Sequence, residues 1–230
     1  MSQRPRRAIQ VPPSDESDAP LRAVDRARLI ERVAVGLAHE GKNPLHNMML
    51  HLQLMAEKLN PQPGAPTGSP LERHLQSLRD GIGRVDLLLK SFGEFASPEH
   101  VPPDLGAAVA RSVQLFAYES RRFSVEVEQR GPASLLVSSP SRVLGDLVAH
   151  AFVACLELAR EGGKVTLDLD AAGTRARLEV RADGGLPRRE EAQPHLAAAR
   201  RLALDAACEL SLDTPSGAGA RLSLSFAHPR

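Results

Sequence analysis

The sequence predicts an α+β protein in which an antiparallel helical hairpin precedes an α/β sandwich. Three observations carry this. Apolar or small residues recur every three or four positions from about Asp25 to Leu59. A second run, Leu71, Leu75, Leu78, Ile82, Val85, Leu89 and Phe92, alternates spacings of four and three, which is a heptad seam. Beyond Pro98 the pattern becomes α, β, β, α, β, β, α, β, β, the mark of helices layered on a mixed sheet.

In chain order, residues 1–22 mix Arg4, Arg6 and Arg7 with Pro12, Pro13, Asp15 and Glu16, carry no apolar period, and are expected to be a disordered tail. A helical hairpin is expected over 23–97. Asp25 is the expected N-cap of its first helix, and Asn60 before Pro61 is a stop signal. The seam of that helix is Ile30, Val33, Leu37, Gly41, Leu45, Met48, Leu52, Met55 and Leu59. Pro44 lies inside it and removes one backbone bond at a cost of about 3 kcal/mol, so a kink is expected there. Pro61 to Gly68 reads as a loop, and Ser69-Pro70-Leu71-Glu72 as a capping box opening the second helix. Val35, Leu50, Leu54 and Leu88 widen the apolar stripes beyond what one partner helix covers. Two hairpins are therefore expected to pair as a four-helix bundle, making the protein a homodimer.

The second unit is expected over 98–230. Asp104 caps a helix to about Ser120. Strands follow at Phe123–Gln129 and Leu135–Val137, and Ser139-Pro140 opens a helix to about Arg160 that ends at Gly162-Gly163. Val165, Leu167 and Leu169, the Ala172-Gly173 turn, and Ala176, Leu178 and Val180 form a β-hairpin. A helix from about Glu191 to Cys208 and strands at Leu210–Asp213 and Ala220–Phe226 complete the order.

Composition removes several function classes. A net charge of +1 gives no electrostatic case for nucleic acid as a partner. No window approaches the ~18 apolar residues of a membrane span. Cys155 and Cys208 both sit in apolar helical patterns and read as buried small hydrophobes, with no disulfide or metal site expected, which suits a cytoplasmic location.

One stretch carries chemistry. His39-Glu40-Gly41-Lys42-Asn43-Pro44-Leu45 lies within the first helix, and His39 falls off its apolar seam. It is expected to face solvent, with Asn43 and His46 further along the same polar stripe and His51 also solvated. This box resembles the phosphoacceptor box of bacterial two-component histidine kinases, His-Glu-x-(Lys/Arg)-(Asn/Thr)-Pro-Leu, at every defined position. The second unit is similar in layout to the ATP-binding domain of that family. The resemblance implies that His39 carries phosphate, that Glu40 handles the proton on the other ring nitrogen, and that Asn43 orients water for dephosphorylating a partner aspartate. Lys42 is a candidate contact for phosphate or an acidic partner.

The nucleotide motifs of the family are altered. Arg142-Val143-Leu144-Gly145-Asp146-Leu147-Val148-Ala149-His150-Ala151 stands where the family places two asparagines, one of them a Mg²⁺ ligand. Asp146 and His150 replace them, and imidazole is a poor ligand for a hard ion. Ala182-Asp183-Gly184-Gly185 is one residue short of the family's Asp-x-Gly-x-Gly, and no glycine lies between Gly185 and Gly217 to cradle phosphates. These losses argue against use of ATP. The resemblance then implies a phosphorelay phosphotransferase, closest in kind to the kinase-derived histidine phosphotransferases, that exchanges phosphate between His39 and the aspartates of response-regulator receiver domains, with Mg²⁺ supplied by the receiver. A phosphatase role for the same site, an ATP-dependent kinase with a divergent nucleotide site and a non-enzymatic regulator of a receiver or kinase are the alternatives.

Overall fold

The computed structural model describes residues 19–59, 70–98, 102–184, 188–214 and 219–229. The tail before residue 19, the 61–68 loop, Ser69 of the capping box and Gly185 lie outside them.

Helix α1 (Ala19–Leu59) and helix α2 (Pro70–Ala96) form the hairpin. They run antiparallel: His51 meets His74, Gly81 faces Pro44 and Met48, and Arg26 reaches Phe95. Helix α1 starts six residues before the expected cap. Asp25 is therefore not an N-cap; it is a buried side chain inside the helix, ion-paired with Arg201. His51 is likewise not simply solvated, because its Nδ1 lies 3.0 Å from that of His74. Pro44 is buried within a continuous helix and leaves the carbonyl of Glu40 without its usual i+4 donor. Opposite it, a Cβ on Gly81 would sit 2.6 Å from Cγ of Met48, so a larger residue there would displace the Met48 side chain.

The sheet follows helices α3 (Leu105–Leu115) and α4 (Ala117–Arg122), which the sequence reads as one. Asp104 caps α3 as expected, accepting from the Ala107 amide at 3.1 Å. The break falls at Phe116, fully buried, with φ −101° and ψ 17°. The five strands are β1 (Glu126–Arg130), β2 (Lys164–Ala172), β3 (Arg175–Ala182), β4 (Glu209–Asp213) and β5 (Ala220–Ala227). Their order is β1-β2-β3-β5-β4, with β1 and β2 parallel and the other pairs antiparallel. The expected strand at Leu135–Val137 is reduced to a single bridge from Leu136 to Asp104.

Alternation sets the two faces of the sheet. Ala176, Leu178, Val180 and Ala182 of β3 point inward with Leu222, Leu224 and Phe226 of β5, while Arg177, Glu179 and Arg181 point out and pair with neighbouring charges. Helix α5 (Ser141–Leu158) is buried over most of its circumference, and helix α6 (Arg189–Asp205) packs alongside it. Both cysteines are buried and free, and burial pushes each thiol up to about 12. No helix among the described residues is long and apolar enough to cross a membrane.

The base of the hairpin belongs to the same core as the sheet. Leu29 and Val33 of α1 and Phe95 of α2 are buried in one cluster with α3, α5 and the strands. Arg26 ties the three parts together: it ion-pairs with Asp146 on α5, donates to the carbonyls of Phe95 at 2.7 Å and Ala96 at 3.2 Å, and lies over the Phe95 ring. Those carbonyls are the unpaired end of α2, and an arginine there both bonds them and offsets the helix dipole.

Candidate phosphoacceptor site

His39 projects from the middle of α1 and is exposed, as its place off the apolar seam predicts. Asn43, His46 and Lys42 are exposed on the same helix. The imidazole is not isolated. The ring of Tyr118, from α4, lies parallel to it with centroids 4.4 Å apart and planes inclined by 1°. Glu40, the next residue, ion-pairs with Arg121, one turn beyond Tyr118. Sequence reasoning passed over both α4 residues; the available hint was that Tyr118 is the only tyrosine in the chain.

Beside the histidine is an open cleft of about 370 Å³ whose polar lining is Glu40, Asn43, Asn47, Arg84, Gln114 and Arg121. Thus two residues of the box, Glu40 and Asn43, line this cleft with two arginines supplied from α2 and α4, and His39 adjoins it on α1 without lining it. Together these residues offer a nitrogen nucleophile, a carboxylate and an amide beside positive charge, the components a phosphoryl group needs. Lys42 makes no ion pair among the described residues.

The second set of candidates lies elsewhere, between α1, α5 and α6. Asp146 is 6 % exposed and bound to Arg26. Burial raises its carboxyl to about 6, outweighing the opposing pull of Arg26 and Arg142. His150, one turn on, is 1 % exposed, and its Nδ1 lies 2.9 Å from Nδ1 of His195 on α6. One of the pair must donate and the other accept, so at least the accepting ring is neutral, without a proton on its Nδ1. Burial holds both histidines down at about 3, helped by the arginines around them, 201, 28 and 32 for His150. Nε2 of His150 has no partner among the described residues.

Three further ion pairs fasten α1 over this region: Arg22 to Asp205 at 3.1 Å, Arg201 to Asp25, and Arg32 to Glu157. Asp146 is therefore engaged by a guanidinium, and His150 by a second imidazole. Asp146 and His150 by themselves offer no open oxygen ligand for a hard ion such as Mg²⁺: the carboxylate is bound to a guanidinium, and the free ring atom of His150 is a buried nitrogen. Asp183 is exposed at the end of β3, its backbone bonded to Lys164 and Arg160 in the adjoining turn, and it does not approach Asp146 or His150 through any contact among the described residues. Gly184 follows it, half-buried.

No family model matches the chain, and no curated protein matches it. Solved structures to which it is similar include the catalytic domain of histidine kinase ThkA, at 15% identity over 55% of this chain and 96% of that one, with a TM-score of 0.47. Another is a bacterial phosphotransferase, at 16% identity over 86% of this chain and 96% of that one, with a TM-score of 0.46. The histidine kinase AdeS of Acinetobacter baumannii is similar at 13% identity over 84% of this chain and 98% of that one, with a TM-score of 0.47. The known structures that this chain resembles are thus histidine kinases and a phosphotransferase.

Proposed function

We propose that the chain is a phosphorelay protein that accepts a phosphoryl group on His39 from a receiver-domain aspartate and passes it to another. The observation that carries this is the contrast between an exposed His39, next to a cleft lined by Glu40 and Asn43, and an Asp146 and His150 that are buried and already engaged. The first arrangement suits exchange with a docked protein. The second, with Asp146 and His150 already engaged, weighs against loading from ATP.

In the step itself, a ring nitrogen of neutral His39 attacks the phosphorus of the aspartyl phosphate. The N–P bond forms, the acyl O–P bond breaks, and its electron pair leaves with the partner's carboxylate. The ring keeps its other N–H, becomes positively charged, and passes that proton to Glu40 or water. Reversal returns phosphate to a second receiver. Mg²⁺ belongs to the receiver in this reading and would neutralise the departing carboxylate and phosphoryl oxygens there. Asn43 would hold a water for dephosphorylation of the same partner.

The protein would act as a homodimer. Leu45, Met49, Leu50 and Leu52 of α1 and Ile82, Leu87 and Leu89 of α2 are exposed, several of them predicted seam positions that the hairpin leaves uncovered. An apolar surface shared by two helices is what a second hairpin covers in a four-helix bundle.

The test is purified protein in two tubes, one with radiolabelled ATP and Mg²⁺, the other with a radiolabelled phosphorylated receiver. Label on the protein in the second tube alone is expected. Label in the first would make it an ATP-dependent kinase instead.

A further inference from the structure

Resting on the proposal that His39 carries phosphate, the geometry points to Tyr118 as a positioning residue for that histidine: its ring, brought from the second unit by α4, fixes the imidazole plane for a donor docked from outside.

An exposed imidazole on a helix is free to turn about its last torsion, which has broad, roughly two-fold wells. The observed stack, 4.4 Å between centroids and 1° between planes, restricts that turn by covering one face. It leaves the reactive direction open, because the lone pair on an imidazole nitrogen lies in the ring plane. The phosphorus of a docked receiver must meet that lone pair in line, and a ring already held in one plane has less freedom to lose at that moment.

The segment that carries the tyrosine is fixed at three points. One turn before His39 stands Gly36, where a Cβ would lie 3.4 Å from the Leu115 carbonyl oxygen and 3.5 Å from Cβ of Tyr118. The chain of α1 thus passes close to the α3–α4 segment, where a methyl group at 36 would be in ordinary van der Waals contact with both. One turn after Tyr118, Arg121 is bound to Glu40. Between the helices, Phe116 is buried edge-on to Phe152 of α5, with ring centroids 6.5 Å apart. The second unit is therefore part of the phosphoacceptor site, through one ring and one ion pair.

The experiment uses the full chain as wild type, Tyr118→Phe and Tyr118→Leu, each charged two ways. One donor is a panel of purified receiver domains phosphorylated with acetyl phosphate. The other is phosphoramidate, a small reagent that needs no docked geometry. Tyr118→Leu should slow transfer from the fastest receiver by roughly ten-fold, within the range that misplacing a reacting group costs. It should leave phosphoramidate labelling within about two-fold. Tyr118→Phe should match wild type with both donors, and the upfield ring-current shift of the His39 ring protons in the NMR spectrum should survive in Phe and vanish in Leu. Equal receiver rates for wild type and Tyr118→Leu would overturn the positioning role while leaving phosphotransfer intact. Slowing by Tyr118→Phe as well would overturn it too, since the phenol oxygen and not the stacked ring would then matter. If no receiver charges wild type, the phosphotransfer reading falls and this one with it.

Discussion

The buried pair His150 and His195 gives the chain a definite response to acid. Both rings are held at about 3 in the fold against an ordinary value of 6.5, so between those values the unfolded chain binds more protons than the folded one. Stability should fall as pH drops from about 6.5 toward 3. Asp146 opposes this over part of the range, because its carboxyl is raised from 3.8 to about 6, so the folded chain binds more protons than the unfolded one there. Its share of stability is full below about 4 and lost as pH rises to about 6. The two histidines, with their larger shifts, prevail over Asp146, while Glu157, whose carboxyl burial also raises, acts in the same sense as Asp146. Urea melts of wild type at pH 7 and pH 5 should show the loss, and His195→Gln should flatten it; an unchanged slope in the variant would assign the acid response to other groups. None of this was legible beforehand. The sequence showed His150 standing in an altered motif, but His195 is 45 positions away in a different helix, and only the fold brings the two together.

Among the elements, α1 has two jobs along its length, which its apolar period alone did not separate. Its early turns are a wall of the second unit, through Leu29, Val33 and the arginines 22, 26 and 32. Its later turns carry His39 and the exposed apolar residues. The sequence showed one amphipathic stripe, because leucine or valine looks the same whether its cover is α2, the sheet unit or another chain. Asp25 illustrates the cost of this: a good capping residue by type, it is instead buried against Arg201. The wall makes a strong prediction. Glu157 is 1 % exposed and meets Arg32 as its only guanidinium partner among the described residues. Arg32→Ala strands that carboxylate and should destabilise the fold by about 3 kcal/mol in denaturant melts, the range for breaking a buried pair, with protonation of Glu157 recovering part. Arg32→Ala combined with Glu157→Leu should be closer to wild type than the single change; if the double variant were the worse of the two, the pair would be net stabilising.

For the whole molecule, the hairpin and the sheet unit share one buried cluster, and His39 meets Tyr118 of α4 at their junction. The α+β layout, ten of its eleven elements and the histidine box were legible because they depend on local period and spacing. The break at Phe116 and the contacts of Tyr118 and Arg121 were not, because they arise where separate elements meet. The exposed apolar residues of the hairpin belong to this scale as well. Replacing Ile82 and Leu89 together with Glu should convert a dimer to a monomer in light scattering, with His39 still labelled by phosphoramidate. A wild-type protein already monomeric at micromolar concentration would contradict the four-helix bundle.

Whether phosphate resides on His39 is decided by mapping the label. Wild type and His39→Ala would each be incubated with a radiolabelled phosphorylated receiver. An acid-labile, alkali-stable label that maps to His39 is expected on wild type, and none on His39→Ala, whose circular dichroism and thermal melt should match wild type because the side chain is exposed. Label persisting on a folded His39→Ala would overturn the assignment of phosphate to His39.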